Sequence, residues 1–177
     1  MKLYVVRHGE TIWNVENRVQ GISDIPLTDK GRLDATLQKD FVKSLDIDVV
    51  ISSPLDRAIE TAKILTDNSL PINTDDRIKE RDWGLNEGAN IDDVDRWDCW
   101  DVILNTKVQN IESIQDFMYR VSSFLEDIKI RYKDKKVLLV THSAVIRVIH
   151  YLLGTIPEDG NLSRINIPNL RIMEYDL

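Results

Sequence analysis

Short apolar runs that alternate with amphipathic helical patterns constrain this chain more than any other feature. The clearest runs are residues 2–6, Val49–Ser52 and Lys136–Thr141, with a weaker one inside residues 71–78. Between them, Leu55, Ala58, Ile59, Ala62 and Leu65 make a helical stripe behind Ser53-Pro54, an N-cap and first-turn pair. A second stripe runs Ile114, Phe117, Met118, Val121, Phe124, Leu125 and Ile128, with Ser113 and Asp116 resembling a capping box. A third, from Val145 to Leu153, ends at Gly154 and Pro157. A further helix is expected behind Thr28 as N-cap, with Leu33, Leu37 and Phe41 facing inward. This rhythm is that of βαβ units and a mostly parallel sheet. Runs at residues 164–167 and 171–175, flanking Pro168-Asn169, predict a closing hairpin and thus an antiparallel edge. The expected fold is a three-layer α/β/α sandwich in one domain, residues 1–177, with a short helical excursion at about 89–110.

The 177 residues carry a formal charge of −7, which argues against broad binding to nucleic acid or to an anionic membrane. An anionic ligand therefore requires a local basic pocket. The single cysteine, Cys99, permits no internal disulfide and fits a reducing compartment. No apolar stretch approaches the ~18 residues of a membrane span, and the opening apolar run is too short for a secretion signal. A cytoplasmic protein is expected.

The ends of the expected strands carry the chemistry. The first runs into Arg7-His8-Gly9-Glu10-Thr11, the second into Ser53-Pro54 and a helix whose first turn holds Arg57. The run 137–140 ends in Thr141-His142-Ser143. If these strands are parallel neighbours, two arginines and two histidines meet in one crevice beyond their carboxyl ends. Helix N-termini there add free N–H groups, and guanidinium forks suit a phosphoryl group. Taken singly, His8 or Arg57 reads as an ordinary structural residue; the coincidence at three strand ends does not. His150 has no such placement and is read as structural. A carboxyl group in a crowded anion pocket gains proton affinity and can protonate a leaving alkoxide. Glu80, Asp82 and Glu87 are candidates by spacing alone.

These residues resemble the histidine phosphatase superfamily, also called phosphoglycerate mutase-like, nearly end to end. The resemblance rests on Arg7-His8-Gly9-Glu10-Thr11, Asn14, Arg18, Gln20-Gly21, Asp24 to Thr28 and Gly31. It continues through Ser52 to Ala58, Thr61-Ala62, Glu80, Gly84, Glu87-Gly88, Thr141-His142 and Val145-Ile146-Arg147. It implies a phosphohistidine at His8, with Arg7, Arg57 and His142 holding the equatorial oxygens and Asn14 assisting. Glu80 would protonate the leaving oxygen and later activate water. Gln20, Gly21 and Ser143 join the expected phosphate and substrate contacts. No metal and no cofactor are implied. Ser143-Ala144 depart from the family's usual glycines after the second histidine, which puts the backbone geometry of that turn in question.

A phosphomonoesterase acting on a small phosphate ester is expected over a cofactor-dependent mutase. The excursion offers Arg96 against Asp92, Asp93, Asp95, Asp98 and Asp101, a poor mouth for a small trianion. Arg81 and Lys107 are the residues that could serve a mutase acceptor site. Trp83, Trp97 and Trp100 are candidate walls for a sugar or aromatic group, and an α-ribazole phosphatase is one specific candidate. A catalytically dead phospho-ligand binder is the third reading, weakened by the presence of His8 and Glu80.

Overall fold

The computed structural model describes residues 1–94, 98–154 and 160–177. Five strands form one sheet: β1 (Lys2–Arg7), β2 (Val49–Ser52), β3 (Ile72–Thr74), β4 (Lys136–Thr141) and β5 (Ile172–Asp176). Their order is β3-β2-β4-β1-β5. β4 pairs parallel with both β1 and β2, β2 pairs parallel with β3, and β5 lies antiparallel on β1. The α-helices of the described residues are α1 (Ile12–Val15), α2 (Asp29–Leu37), α3 (Lys39–Ser44), α4 (Asp56–Leu65), α5 (Ile114–Arg131) and α6 (Ser143–Leu153).

Side chains along a strand point to opposite faces, so a strand covered on both faces must be apolar throughout. Leu3 and Val5 of β1, Val137 and Leu139 of β4, and Ile51 of β2 pack with Phe117, Val121, Ile146 and Ile149 of α5 and α6. Tyr4, Val6, Leu138, Val140 and Val50 pack on the other face with Ala35, Val42, Ala58, Ala62 and Leu65 of α2, α3 and α4. The result is the expected three-layer sandwich, mostly parallel with one antiparallel edge.

Three local expectations are corrected. Thr28 does cap α2, its Oγ1 accepting the Gly31 N–H at 2.9 Å, but the inward face is made of Gly31, Ala35 and Val42. Leu33, Leu37 and Phe41 are 59%, 73% and 54% exposed. The helix approaches so closely that a Cβ on Gly31 would lie 2.3 Å from the Glu10 carbonyl oxygen, so only small residues fit inward. Next, α4 starts at Asp56 with Leu55 at the N-cap position and no side-chain cap, while the Ser53 hydroxyl, two residues earlier, bonds to His142 and takes only the Leu55 N–H, at 3.4 Å. Finally, residues 164–167 form no strand: a 3₁₀ turn occupies Leu162–Arg164. β5 pairs with the free edge of β1, Lys2 opposite Asp176 through Val6 opposite Ile172. Pro168, which lacks a donor, and Leu170, at φ +60°, separate the would-be hairpin arms.

Among the described residues the excursion contains 3₁₀ turns at Ile91–Asp93 and Asp98–Trp100, the second of which buries Cys99 and Trp100. The expectations for Asp95, Arg96, Trp97 and Pro157 lie outside the described residues. Among the described residues, no helix is long and apolar enough to cross a membrane.

Candidate active site

Because β2, β4 and β1 are adjacent and parallel, their carboxyl ends open on the same side. The ladder continues just past the strands: the His8 N–H donates to the Thr141 carbonyl and the Ser53 N–H to the Val140 carbonyl, each at 2.9 Å. His8, Arg57 and His142 are all buried there, and the two imidazole rings lie 5.2 Å apart between centroids. The three-strand convergence expected from the sequence is therefore realised.

Burial holds the His8 imidazole well below its ordinary pKa, and the Arg57 and Arg7 charges add to that effect. The ring is neutral near pH 7 and carries one proton. Its Nδ1 lies 2.7 Å from the Gly9 carbonyl, which can only accept, so the proton is assigned to Nδ1. The Nε2 lone pair is left as a nucleophile. Thr61 of α4 braces this loop by accepting the Gly9 N–H at 3.0 Å while donating to the Arg57 carbonyl at 2.7 Å.

Around the ring stand donors with no partner. Arg57 spends Nη1 on the Ser23 carbonyl and Nη2 on the Gly21 carbonyl, both at 2.7 Å, leaving Nε unpaired. Arg7 spends Nη1 on the Ile167 carbonyl at 2.8 Å and also keeps Nε unpaired. Asn14 Oδ1 accepts the Thr11 N–H at 3.2 Å, which fixes its amide with the NH2 toward Gln20 Oε1 at 3.3 Å. Gln20 Oε1 also accepts the Thr11 hydroxyl at 2.8 Å, so its unpaired buried atom is the donor Nε2. His142 Nδ1 is likewise unpaired. Buried polar groups are nearly always bonded, and an orphaned donor costs about 1–3 kcal/mol. Unpaired buried nitrogens on Arg7, Gln20, Arg57 and His142 therefore collect near His8, an arrangement suited to an oxyanion.

The geometry separates the three candidate carboxylates. Glu87 accepts the Ile22 and Ser23 N–H groups at 2.8 Å each and the Trp83 N–H at 3.3 Å, so it organises the loop that holds Arg57. A Cβ on Gly21 would meet Glu87 Oε1 at 2.0 Å and the Arg81 carbonyl at 2.8 Å; this glycine acts through its carbonyl on Arg57. Asp82 caps the turn at Gly84, accepting its N–H at 2.7 Å. Glu80 lines the cavity beside His8 and is 5% exposed. Its Oε1 accepts the Arg81 N–H at 2.9 Å, and its Oε2 lies 3.4 Å from both Ser143 Oγ and the Ala144 nitrogen. Ser143 thus touches the carboxylate, where the sequence pointed to the phosphate. The turn tolerates Ser143-Ala144 because His142 is extended (φ −124°, ψ 165°) and the helix starts directly behind it.

Arg120 of α5, unremarked in the sequence, fixes the backbone beneath Glu80. Its Nη1 donates to the Arg77 and Lys79 carbonyls at 2.6 and 2.8 Å, and its Nη2 to the Glu80 carbonyl at 3.0 Å. The Glu112 carboxylate holds the same guanidinium from Nε and Nη2 at 2.7 and 2.9 Å. No local periodicity could have signalled a contact of this kind.

The cavity above His8 has a volume of about 170 Å³. Arg7, His8, Asn14, Gln20, Glu80 and Ser143 line it together with Val19, Trp83, Ile91 and Trp100, and with Arg18 and Arg147. Two of the three expected tryptophan walls are therefore in place, and Trp97 lies outside the described residues. Arg81 is not available to an acceptor site. It is buried beneath Trp83 and Trp100, 5.5 and 4.9 Å from their ring centroids, with its nitrogens on the Glu112 and Cys99 carbonyls. Lys107 is exposed and does not line the cavity. His150 pairs with the Tyr175 hydroxyl at 3.2 Å, away from the cavity, as expected of a structural residue.

A strand-end histidine pair, the buried Arg57, the half-buried Arg7 and Glu80 thus meet beyond the carboxyl ends of the strands. The family model of the histidine phosphatase superfamily (branch 1) matches residues 3–177, and the chain belongs to that superfamily. It is 35% identical over 147 residues to "Uncharacterized phosphatase PhoE" of Bacillus subtilis (strain 168), covering 82% of this chain and 73% of that protein. "Probable phosphoglycerate mutase GpmB" of Enterobacter sp. (strain 638) is 35% identical over 183 residues, covering 99% and 85%. The solved structure of Bacillus stearothermophilus YhfR superposes with a TM-score of 0.86 at 31% identity, over 99% of this chain and 91% of that one. Relatives thus include both a phosphatase and a mutase by name.

Proposed function

We propose that the protein is a metal-independent phosphomonoesterase that works through a phosphohistidine at His8 on a small phosphate ester. The observation that carries this reading is the set of unpaired buried nitrogens gathered near a neutral, buried imidazole. In the first step the His8 Nε2 lone pair forms a bond to phosphorus and the ester P–O bond breaks. Glu80 gives its proton to the departing oxygen. In the second step water attacks the phosphohistidine, Glu80 takes the water proton, and the P–N bond returns its electrons to Nε2. Arg7, Arg57, Asn14, Gln20 and His142 bind the equatorial oxygens, preorganised donors that strengthen as charge develops.

The about 170 Å³ cavity falls below the roughly 300–1,000 Å³ of pockets for drug-sized ligands, which supports a small leaving group. Hydrolysis is favoured over transfer because Arg81 is committed to the tryptophan pair and Lys107 stands away from the cavity. The likeness to a named phosphoglycerate mutase keeps transfer as the second reading.

Phosphate release from a panel of monoesters with EDTA present, comparing wild type with His8→Ala, tests the proposal. The panel includes α-ribazole 5′-phosphate and 3-phosphoglycerate with and without 2,3-bisphosphoglycerate. EDTA-resistant release that disappears in the variant is expected. Interconversion of phosphoglycerates without net release would establish the mutase instead. Binding of phosphate with no turnover of any ester would establish a binder.

A further inference from the structure

We infer that Asn169, on the segment joining the last 3₁₀ turn to β5, is a positioning residue for the nucleophile: its side-chain amide fixes the carbonyl that sets the His8 tautomer. The inference rests on the reading of His8 as nucleophile.

Residues 167–170 strap the end of β1. The Ile167 carbonyl accepts Arg7 Nη1 at 2.8 Å, and the Leu170 N–H donates to the Arg7 carbonyl at 3.0 Å. Between them, Asn169 Nδ2 lies 2.9 Å from the His8 carbonyl oxygen, 3.2 Å from the Gly9 carbonyl oxygen and 3.1 Å from Asn14 Oδ1. All of these neighbours are acceptors; Asn14 Oδ1 is identified as oxygen by the Thr11 N–H that it also accepts. A flipped amide would set oxygen against three oxygens, so the orientation of Asn169 is determined by its surroundings.

The Gly9 carbonyl is the one that takes the Nδ1 proton of His8 at 2.7 Å. Anchoring that oxygen from its other side keeps the proton on Nδ1 and the lone pair on Nε2. The same amide holds Asn14 with its NH2 directed away, toward Gln20 Oε1. One side chain therefore aligns the attacking atom and one phosphate donor. Asn169 does not itself line the cavity, so it acts through His8 and Asn14. Aspartate in its place would turn acceptors toward three acceptors, serine would reach one at most, and alanine would leave them unbraced.

The test compares Asn169→Ala, Asn169→Ser and Asn169→Asp with wild type and with His8→Ala. It uses p-nitrophenyl phosphate turnover, inhibition by inorganic phosphate, thermal unfolding and ¹⁵N shifts of the histidine rings. A misplacement near 1 Å costs on the order of 10²-fold, so kcat is expected to fall about 10- to 100-fold. The inhibition constant of phosphate should stay within about threefold, because most of its donors remain. The ¹⁵N shifts of His8 should move from a single Nδ1-protonated form toward a mixture, least in Asn169→Ser. A His8 ring still fully protonated at Nδ1 in Asn169→Ala overturns the inference whatever the activity. So does a loss of phosphate affinity as large as the loss in kcat, which would mean general disruption of the pocket. Activity retained by His8→Ala would instead sink the phosphohistidine reading, and the ring shifts would still decide the role of Asn169.

Discussion

Ser53 Oγ lies 2.7 Å from His142 Nε2, and the same oxygen accepts the Leu55 N–H at 3.4 Å. Among the described residues the buried Ser53 hydroxyl has no other acceptor for its proton, so that proton is assigned to the imidazole. Burial is the largest cause holding His142 well below its ordinary pKa, and the Arg57 and Arg7 charges add to it, so the ring is neutral and its single proton is assigned to Nδ1. That is the atom left without a partner, and the one proposed to meet the phosphate. Ser53→Ala should therefore release the tautomer and lower kcat/KM about tenfold, less than the about 10²–10³-fold that outright loss of one preorganised donor costs. Steady-state kinetics with p-nitrophenyl phosphate decide the point; an unchanged kcat/KM would remove His142 Nδ1 from the donor set.

Glu87 and Arg57 meet through one loop, Glu87 holding the N–H groups of Ile22 and Ser23 while Arg57 holds the carbonyls of Gly21 and Ser23. Glu87→Ala should loosen that loop and misplace the guanidinium. Phosphate inhibition is expected to weaken more than kcat falls, and stability to drop by about 1.5–3 kcal/mol, as for hydrogen bonds to a charged group. Asp82→Asn, which touches only a turn cap, should leave both nearly unchanged. Phosphate titrations and denaturant unfolding of the two variants separate these outcomes.

The sheet was legible because β1 and β4 are apolar on both faces, and that pattern alone requires helices above and below. The strand-end histidines and arginines were legible for the same reason, once the strands were parallel neighbours. Ser53 reads as a helix cap because serine-proline before an apolar stripe carries the same local signal as one. Hydrophobicity alone places Leu33 and Leu37 inward, whereas the close approach of Gly31 to Glu10 selects by size. Asn169 and Arg120 act across 161 and 40 residues of chain, where no periodicity reaches. Glu80 and Glu87 are the same side chain at similar spacing; only their contacts distinguish an acid facing the cavity from a loop brace.

Glu80 is the carboxylate of the cavity, so replacing it should matter in proportion to the leaving group's need for a proton. Glu80→Gln is expected to lower turnover of alkyl phosphates by about 10²–10⁴-fold, the usual span of general acid catalysis. Formation of the phosphoenzyme from p-nitrophenyl phosphate, whose leaving group departs as an anion, should suffer far less. Rapid-quench measurement of that first step with both kinds of ester is the check. Equal losses would transfer the role away from Glu80.

The two buried histidines also tie stability to pH. Both have folded-state pKa values well below the ordinary value, with burial as the largest cause. The unfolded chain therefore binds protons near pH 6.5 that the folded chain still refuses. Unfolding free energy rises with pH wherever the unfolded state holds more protons. The contribution of His8 and His142 is thus fully present above about pH 6.5 and is lost as pH falls toward the folded-state values. Each ring adds a slope of up to about 1.4 kcal/mol per pH unit in that window. Denaturant unfolding at pH 7.5 and pH 5.5, for wild type and for His8→Asn with His142→Asn, measures the difference. Wild type should lose more stability than the double variant over this interval. Bound inorganic phosphate acts separately, stabilising by about 2.7 kcal/mol at a hundred times its Kd, so the comparison is made without it. Parallel pH profiles for the two proteins would show that the imidazoles titrate in the folded state much as they do in water.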